Sequence, residues 1–229
     1  MNEKIQVLDL EIDNLSAKDA MKLIMDYMGT EPVSVIEMVT MNTLGKFQQD
    51  EEANAMFQSF ELALASDKGI LQAAGVKEER RLKEVEELLI IKMVMRYLHK
   101  NGIKVFLLAE NGADLEKLEG YMNEDYANIQ IVGTATLEEN AVSDDMLLNL
   151  VNGAEVDCVL STLPSPSEEE FIYRNKTLVN ARVWLGFGDL LGEMRKQKNV
   201  FQKIKEFVLP RRLRSSRQST TRREQSIIP

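Results

Sequence analysis

The chain has 229 residues, 44% of them hydrophobic, which suits one packed α/β domain with an appendage. A single cysteine excludes an internal disulfide framework, and a single histidine argues against a zinc site, so no metal and no cofactor is predicted. Neither a signal peptide nor an apolar run of about eighteen residues is visible, so a cytoplasmic chain without a membrane span is predicted.

Charge is divided unevenly along the chain. Residues 195–229 hold eleven Lys and Arg against two Glu, a net charge of +9, whereas the whole chain carries −9 and the preceding part therefore −18. This shift predicts an α/β domain over 1–194 and a basic helical appendage over 195–229, disordered towards its end. The appendage is expected to meet an anionic membrane surface, the alternative being a solvated tail.

Apolar periodicity predicts alternating helices and strands. The predicted elements, in chain order, are helix 17–28 capped by Ser16, strand 33–39, helix 51–58, strand 61–65, helix 88–98, strand 104–109, helix 113–122, strand 129–132, helix 144–151, strand 156–161 and strand 182–186. This alternation predicts a mostly parallel, Rossmann-like sheet flanked by helices. Ligands of such sheets bind at the carboxyl ends of strands, so the loops after Val39, Ala65, Ala109 and Ser161 are candidates.

Two of these loops carry polar residues of interest. Thr40 and Asn42 could hydrogen-bond a sugar or phosphate oxygen, although a turn-forming Asn with a Thr in an ST turn is equally compatible with the sequence. Asp67 could act as a general base, or it could cap the helix that follows. Cys158 lies in an apolar run and is predicted to be a buried thiol, and His99, at a helix end, is given a structural or surface role.

A further segment, from Ser165 to Glu170, has the composition of a helix start. A proline occupies the first turn, and the acidic side chains after it favour the positive end of the helix dipole.

Five segments together resemble one enzyme family. In chain order they are Ile12-Asp13-Asn14-Leu15-Ser16, Val39-Thr40-Met41-Asn42, Gly102-Ile103-Lys104-Val105-Phe106-Leu107-Leu108, Ser165-Pro166 with Glu168-Glu169, and Phe171-Ile172. Their order resembles the WecG/TagA/CpsF glycosyltransferases. The resemblance implies a metal-independent transfer of an N-acetylmannosamine-like sugar from a UDP donor to a polyprenyl-diphosphate-linked acceptor, at the inner face of the cell membrane.

The resemblance also implies residue roles. Asp67 would be the base, with Thr40 beside it, and Asn42 would hold donor or acceptor. Ser165 and Glu169 match the family's G-x-G-S-P-K-Q-E motif and would bind substrate. Three tail arginines would neutralise the donor diphosphate; they are Arg211, Arg212 and Arg214.

Other family positions are substituted. Lys68 replaces the first glycine of the family's D-G-x-G, Ala109-Glu110 replaces Gly-Gly, and Thr162 and Pro164 stand at the glycines of G-x-G-S-P-K-Q-E. A second hypothesis is therefore open, in which a non-catalytic descendant serves as partner or scaffold of other membrane-associated transferases. Binding to a protein partner or to further copies of this chain is left open under both hypotheses. The acidic, aromatic-poor body argues against nucleic-acid binding under both hypotheses.

Overall fold

The computed structural model describes residues 3–8, 10–47, 51–138, 143–190 and 192. Within that part of the chain one sheet has eight strands, in the order β1-β2-β4-β3-β8-β7-β5-β6. The strands are β1 Lys4–Val7, β2 Leu10–Asp13, β3 Ser34–Val39, β4 Leu62–Ala65, β5 Lys104–Ala109, β6 Gln130–Thr136, β7 Cys158–Thr162 and β8 Val183–Gly186.

Helices connect the strands. They are α1 Ala17–Tyr27, α2 Met41–Lys46, α3 Glu51–Gln58, α4 Lys68–Ala73, α5 Glu79–Glu86, α6 Leu89–Asn101, α7 Gly112–Asp125, α8 Asp144–Gly153 and α9 Ser167–Asn175, with 3₁₀ turns at Lys176–Leu178 and Gly188–Leu190. The side chain of Ser16 caps α1 by accepting from the Asp19 amide, as predicted. Gly102 ends α6 with φ of +59°, a conformation that glycine adopts without strain.

The sheet is parallel except for β1, which forms an antiparallel hairpin with β2. The prediction of a mostly parallel, Rossmann-like α/β fold is therefore confirmed. Chain connections run in opposite directions from β5, which leads to β6, and from the adjacent β7, which leads to β8. The carboxyl ends of these parallel strands, where ligands of such sheets bind, all lie on one edge.

The central strands are buried on both faces. Every residue of β3, β4, β7 and β8 is buried, which explains why these segments are mostly apolar and do not alternate between apolar and polar residues. Burying one large aliphatic or aromatic side chain stabilises a fold by about 1.5–3 kcal/mol, so these strands anchor the loops at their ends.

The one cysteine is buried in the sheet, and the one histidine forms a hydrogen bond between two elements of the fold. Cys158 is fully buried on β7, and burial raises the pKa of its thiol. The His99 Nδ1 atom accepts a hydrogen bond from the Asn128 amide at 3.2 Å, which joins the end of α6 to the turn before β6. Both predictions for these residues are confirmed.

Candidate active site

The loops that follow β3 and β4 lie side by side. Val39 and Ala65, the last residues of the two strands, are register partners, so Thr40 stands opposite Ser66. The Ser66 amide and hydroxyl both donate to the Val39 carbonyl, at 2.9 and 2.7 Å. These two hydrogen bonds between neighbouring strand ends fix the position of Thr40 relative to Asp67.

Thr40 begins α2 as its N-cap. Its hydroxyl accepts from the Thr43 amide at 3.0 Å, and the Thr43 hydroxyl accepts from the Thr40 amide at 3.4 Å, which completes a reciprocal capping box. Met41 and Asn42, in the first turn, are exposed at the sheet edge. The structural alternative predicted for Thr40 was a local turn, whereas the structure shows a helix cap. The Thr40 hydroxyl lies where a ligand at this edge could reach it.

Asp67 is exposed and begins α4. Its Oδ1 atom accepts from the Gly69 amide at 2.6 Å, so the predicted capping role is present. A Cβ placed on Gly69 would lie 3.9 Å from the Met41 side chain, so the start of α4 lies next to the start of α2. Lys68, at the substituted glycine position, forms an ion pair with Glu86 of α5.

The loop after β7 joins this site through α2. The Ser165 hydroxyl lies 3.2 Å from the Thr43 hydroxyl and 2.5 Å from the Glu169 Oε1 atom, and the Lys46 Nζ atom donates to the Ser165 carbonyl at 2.5 Å. Ser165 and Glu169 are 7% and 0% exposed. Their polar atoms thus face protein groups, and the role in substrate binding that the resemblance implies stays a prediction.

Three carboxyl groups are buried behind this loop. Glu37 on β3 and Glu168 and Glu169 on α9 are each at most 1% exposed. The Trp184 indole donates to Glu168 Oε1 at 2.8 Å, whereas one oxygen of each of the three carboxyl groups lacks a hydrogen-bond partner in the described structure. Of the acidic residues at the predicted helix start, Glu168 and Glu169 are therefore buried.

Burial raises the pKa of all three groups. Desolvation raises the pKa of Glu168 to about 8, despite the Trp184 hydrogen bond that lowers it. For Glu37, desolvation and the neighbouring Glu168 and Glu169 raise the pKa, and for Glu169 desolvation outweighs the Ser165 hydrogen bond. Three adjacent anions in a low-dielectric interior would be costly, so the cluster holds protons near neutral pH.

This cluster predicts a stability that falls as pH rises. Between the ordinary glutamate pKa and about 8, the folded state keeps the Glu168 proton whereas the unfolded state releases it. The contribution of Glu168 to the free energy of unfolding is therefore complete at low pH and is lost as the pH rises to about 8. Urea unfolding measured across about pH 5 to 8 should show this decline, and Glu168→Gln, which can still accept from Trp184, should make it shallower. An equal slope for variant and wild type would contradict the assignment.

A pocket opens beside the end of β4. It is lined by aliphatic side chains of α1 and α6 and by four polar residues, which are Asp13, Ser66, Arg81 and Glu84. Arg81 donates to Glu84 Oε2 at 3.0 Å, and Glu84 also accepts from the Ala17 amide. Although burial opposes it, these hydrogen bonds lower the pKa of Glu84, so an ion pair lines the wall of the pocket.

The structure adds residues that the sequence prediction omitted. Thr43 and Lys46, three and six positions after Thr40, connect the two candidate loops, and the spacing Thr-x-x-Thr was a visible capping signal. Glu37, an acid inside the apolar run of β3, was equally visible as a buried charge that needed explanation. Arg211, Arg212 and Arg214 lie outside the described residues.

In the described part of the chain, no group of three or more His, Cys, Asp or Glu side chains could hold a metal ion. Among the same residues no helix is both long and apolar enough to cross a bilayer.

A Rossmann-like sheet with polar loops at the carboxyl ends of adjacent strands defines a class of proteins that bind ligands at this edge. Within that class, residues 5–199 match the model of the Glycosyl transferase WecG/TagA/CpsF family, so the chain belongs to this family. Membership confirms the resemblance and gives the protein a general glycosyltransferase role in cell-surface polysaccharide synthesis, with a sugar donor and an acceptor as substrates. No curated protein matches the chain.

Proposed function

We propose that the protein transfers an N-acetylhexosamine, of the N-acetylmannosamine type, from a UDP-sugar to a sugar carried on polyprenyl diphosphate. One observation carries this proposal: Thr40 and Asp67 follow adjacent parallel strands, and Asp67 is exposed there. A carboxylate and a hydroxyl next to each other at the ligand-binding edge of the sheet are the groups that such a transfer needs.

The chemistry follows from these groups. The Asp67 carboxylate takes the proton from the acceptor hydroxyl as its oxygen forms a bond to the anomeric carbon. The bond between that carbon and the diphosphate breaks, and UDP leaves with the electron pair. Thr40 and Asn42 orient donor or acceptor, and Arg211, Arg212 and Arg214 neutralise the charge that develops on the leaving diphosphate.

The basic appendage over 195–229 would place the enzyme at the inner face of the membrane. We expect the full-length chain to bind vesicles containing anionic lipid, with binding that weakens as salt increases, because the segment carries a charge of +9. A chain truncated before Arg195 should bind at the level seen with neutral vesicles. Vesicle cosedimentation measures this, and equal binding by both chains would refute the proposal for the appendage.

The non-catalytic hypothesis also has an observation in its favour. Lys68 replaces a glycine that would let the backbone approach a sugar closely, and its ion pair with Glu86 holds the side chain beside the loop. A partner or scaffold protein would keep the fold without donor binding.

Calorimetric titration with UDP and with a UDP-N-acetylhexosamine separates the two hypotheses. The transferase proposal expects saturable binding of both ligands, and ADP serves as the matched control with the same diphosphate and a different base. Wild-type protein that binds none of the three nucleotides would favour the non-catalytic hypothesis.

A further inference from the structure

A chain of hydroxyl groups connects the buried Glu169 to the candidate active site. From Glu169 Oε1 the distance to the Ser165 hydroxyl is 2.5 Å, from Ser165 to the Thr43 hydroxyl 3.2 Å, and from Thr43 to the Thr40 hydroxyl 3.0 Å. Ser165, Thr43 and Glu169 are buried, and Thr40 is half-buried at the edge of the sheet. The chain therefore runs from the interior to the place where a ligand would bind.

Each of the three hydroxyl groups has one proton. The direction of every hydrogen bond in the series therefore depends on the protonation of Glu169 at its buried end. If Glu169 carries a proton on Oε1, it donates to Ser165, Ser165 donates to Thr43, and Thr43 donates to Thr40. The Thr40 oxygen then accepts from both the hydroxyl and the amide of Thr43, and its own proton must point away, towards the edge of the sheet.

If Glu169 is ionised, every bond reverses. Ser165 donates to the carboxylate, Thr43 donates to Ser165, and the Thr40 hydroxyl donates to Thr43, which also accepts from the Thr40 amide. Thr40 then offers the edge a lone pair instead of a proton. Both arrangements satisfy the three hydroxyl groups. A proton on Glu169 Oε1 is required for the first arrangement, and an ionised Glu169 permits only the second.

We propose that Glu169 is a positioning residue that decides, through Ser165 and Thr43, whether Thr40 presents a hydrogen-bond donor or an acceptor to the ligand. The consequence for the ligand rests on the proposed function. A phosphate oxygen is an acceptor and needs the donor form, so nucleotide-sugar binding requires the protonated Glu169.

The surroundings of Glu169 favour the protonated form, because burial raises the pKa of its carboxyl group above that of an ordinary glutamate. Within the described residues, the charged or titratable groups facing it are Glu37 from β3, Glu168 and Glu170 from α9, and Lys46 from α2. The Glu169 Oε2 atom has no hydrogen-bond partner, which penalises a charge on the group, and only the Lys46 ammonium among these neighbours opposes that effect.

The test uses amide signals of the ligand-free protein, so it does not require enzyme activity. In wild type, the NMR shifts of the Thr40 and Thr43 amides should titrate with a midpoint above the ordinary glutamate pKa. In Glu169→Gln, whose amide nitrogen donates to Ser165 at any pH, this titration should disappear. Glu170→Gln, the neighbour on the same helix that pairs with Arg174, is the matched control. Its titration should persist, with a slightly lower midpoint because one negative charge near Glu169 is gone.

Ser165→Ala is the second variant, for the case that Glu169→Gln fails to fold. It removes the hydroxyl group that links Glu169 to Thr43 while keeping the carboxyl group, and the titration of the Thr43 amide should again disappear. Amide shifts that do not change with pH in wild type would overturn the proposal. A titration that persists in Glu169→Gln or in Ser165→Ala would do the same, because it would belong to Glu37 or Glu168.

Calorimetry with UDP-N-acetylglucosamine then tests the consequence. Wild-type affinity should fall about tenfold or more as pH rises through the amide midpoint, since one hydrogen bond to a charged oxygen is lost, and Glu169→Gln should show no such fall. A pH-independent affinity in wild type would overturn the proposed effect of Glu169 on the ligand. Amide titration without any nucleotide binding would support the hydroxyl chain and count against the proposed function alone.

Discussion

Replacing Asp67 by asparagine should lower the rate of sugar transfer about 10²- to 10⁴-fold while the protein stays folded. That loss is the usual effect of removing one general base. The fold should tolerate the change because the Asp67 side chain caps α4 by accepting from the Gly69 amide, and asparagine can accept the same bond. Steady-state transfer rates and thermal unfolding of the two proteins measure the two effects.

Two further variants separate the chemical from the structural role of Asp67. Asp67→Ser keeps a capping oxygen without a carboxylate, so its transfer rate should fall as it does for asparagine. Asp67→Ala removes the cap as well and should lose about 0.5–2 kcal/mol of stability. Undiminished transfer by Asp67→Asn, measured where wild type is active, would show that Asp67 is only a helix cap.

Replacing Gly186 by alanine should destabilise the fold by at least about 3 kcal/mol, at the upper end of the cost of overpacking a core. The added Cβ would stand 2.0 Å from Glu37 Oε2 and 2.9 Å from Glu168 Oε1, in the place that the carboxyl cluster occupies. All three residues are buried, so neither carboxyl group can move into solvent. Chemical denaturation measures the loss.

Gly112→Ala is the matched control, because a Cβ at Gly112 on α7 meets no atom within 4 Å. It should be neutral or slightly stabilising, since alanine is the better helix former. The cost of Gly186→Ala should also shrink in a Glu37→Ala background, where the nearest obstacle is gone. If both backgrounds give the same cost, the carboxyl group of Glu37 is not what excludes a side chain at Gly186.

The sequence predicted the elements whose signals are local. The strand 104–109 and the helix 51–58 were predicted with the bounds that the structure has, because an apolar run and an amphipathic repeat depend on nearby residues alone. The antiparallel hairpin of β1 and β2 was missed, since two four-residue strands give little periodicity. The hairpin lies at one lateral side of the sheet because β2 pairs with β4, which is distant in sequence.

The candidate site was predicted in part for the same reason. Thr40 and Asp67 were found because each lies within two residues of a predicted strand end and matches a motif of the family. That their two strands are neighbours was not predicted and comes from the structure. For Glu169 the sequence left two roles open, an acid at a helix start and a substrate-binding residue implied by the resemblance. Neither role distinguishes an exposed side chain from a buried one. The burial of Glu169, and its connection to Thr43 over more than a hundred residues, come from the packing of α9 against the sheet.

The most direct test of the central claim is transfer itself. Purified full-length protein should move labelled sugar from UDP-N-acetylmannosamine to a short-chain polyprenyl-diphosphate sugar and release UDP in equal amount, and Asp67→Asn should reduce both products together. A wild-type protein that forms no glycosylated lipid and binds neither UDP nor the UDP-sugar would contradict the account and identify this chain as a non-catalytic member of its family.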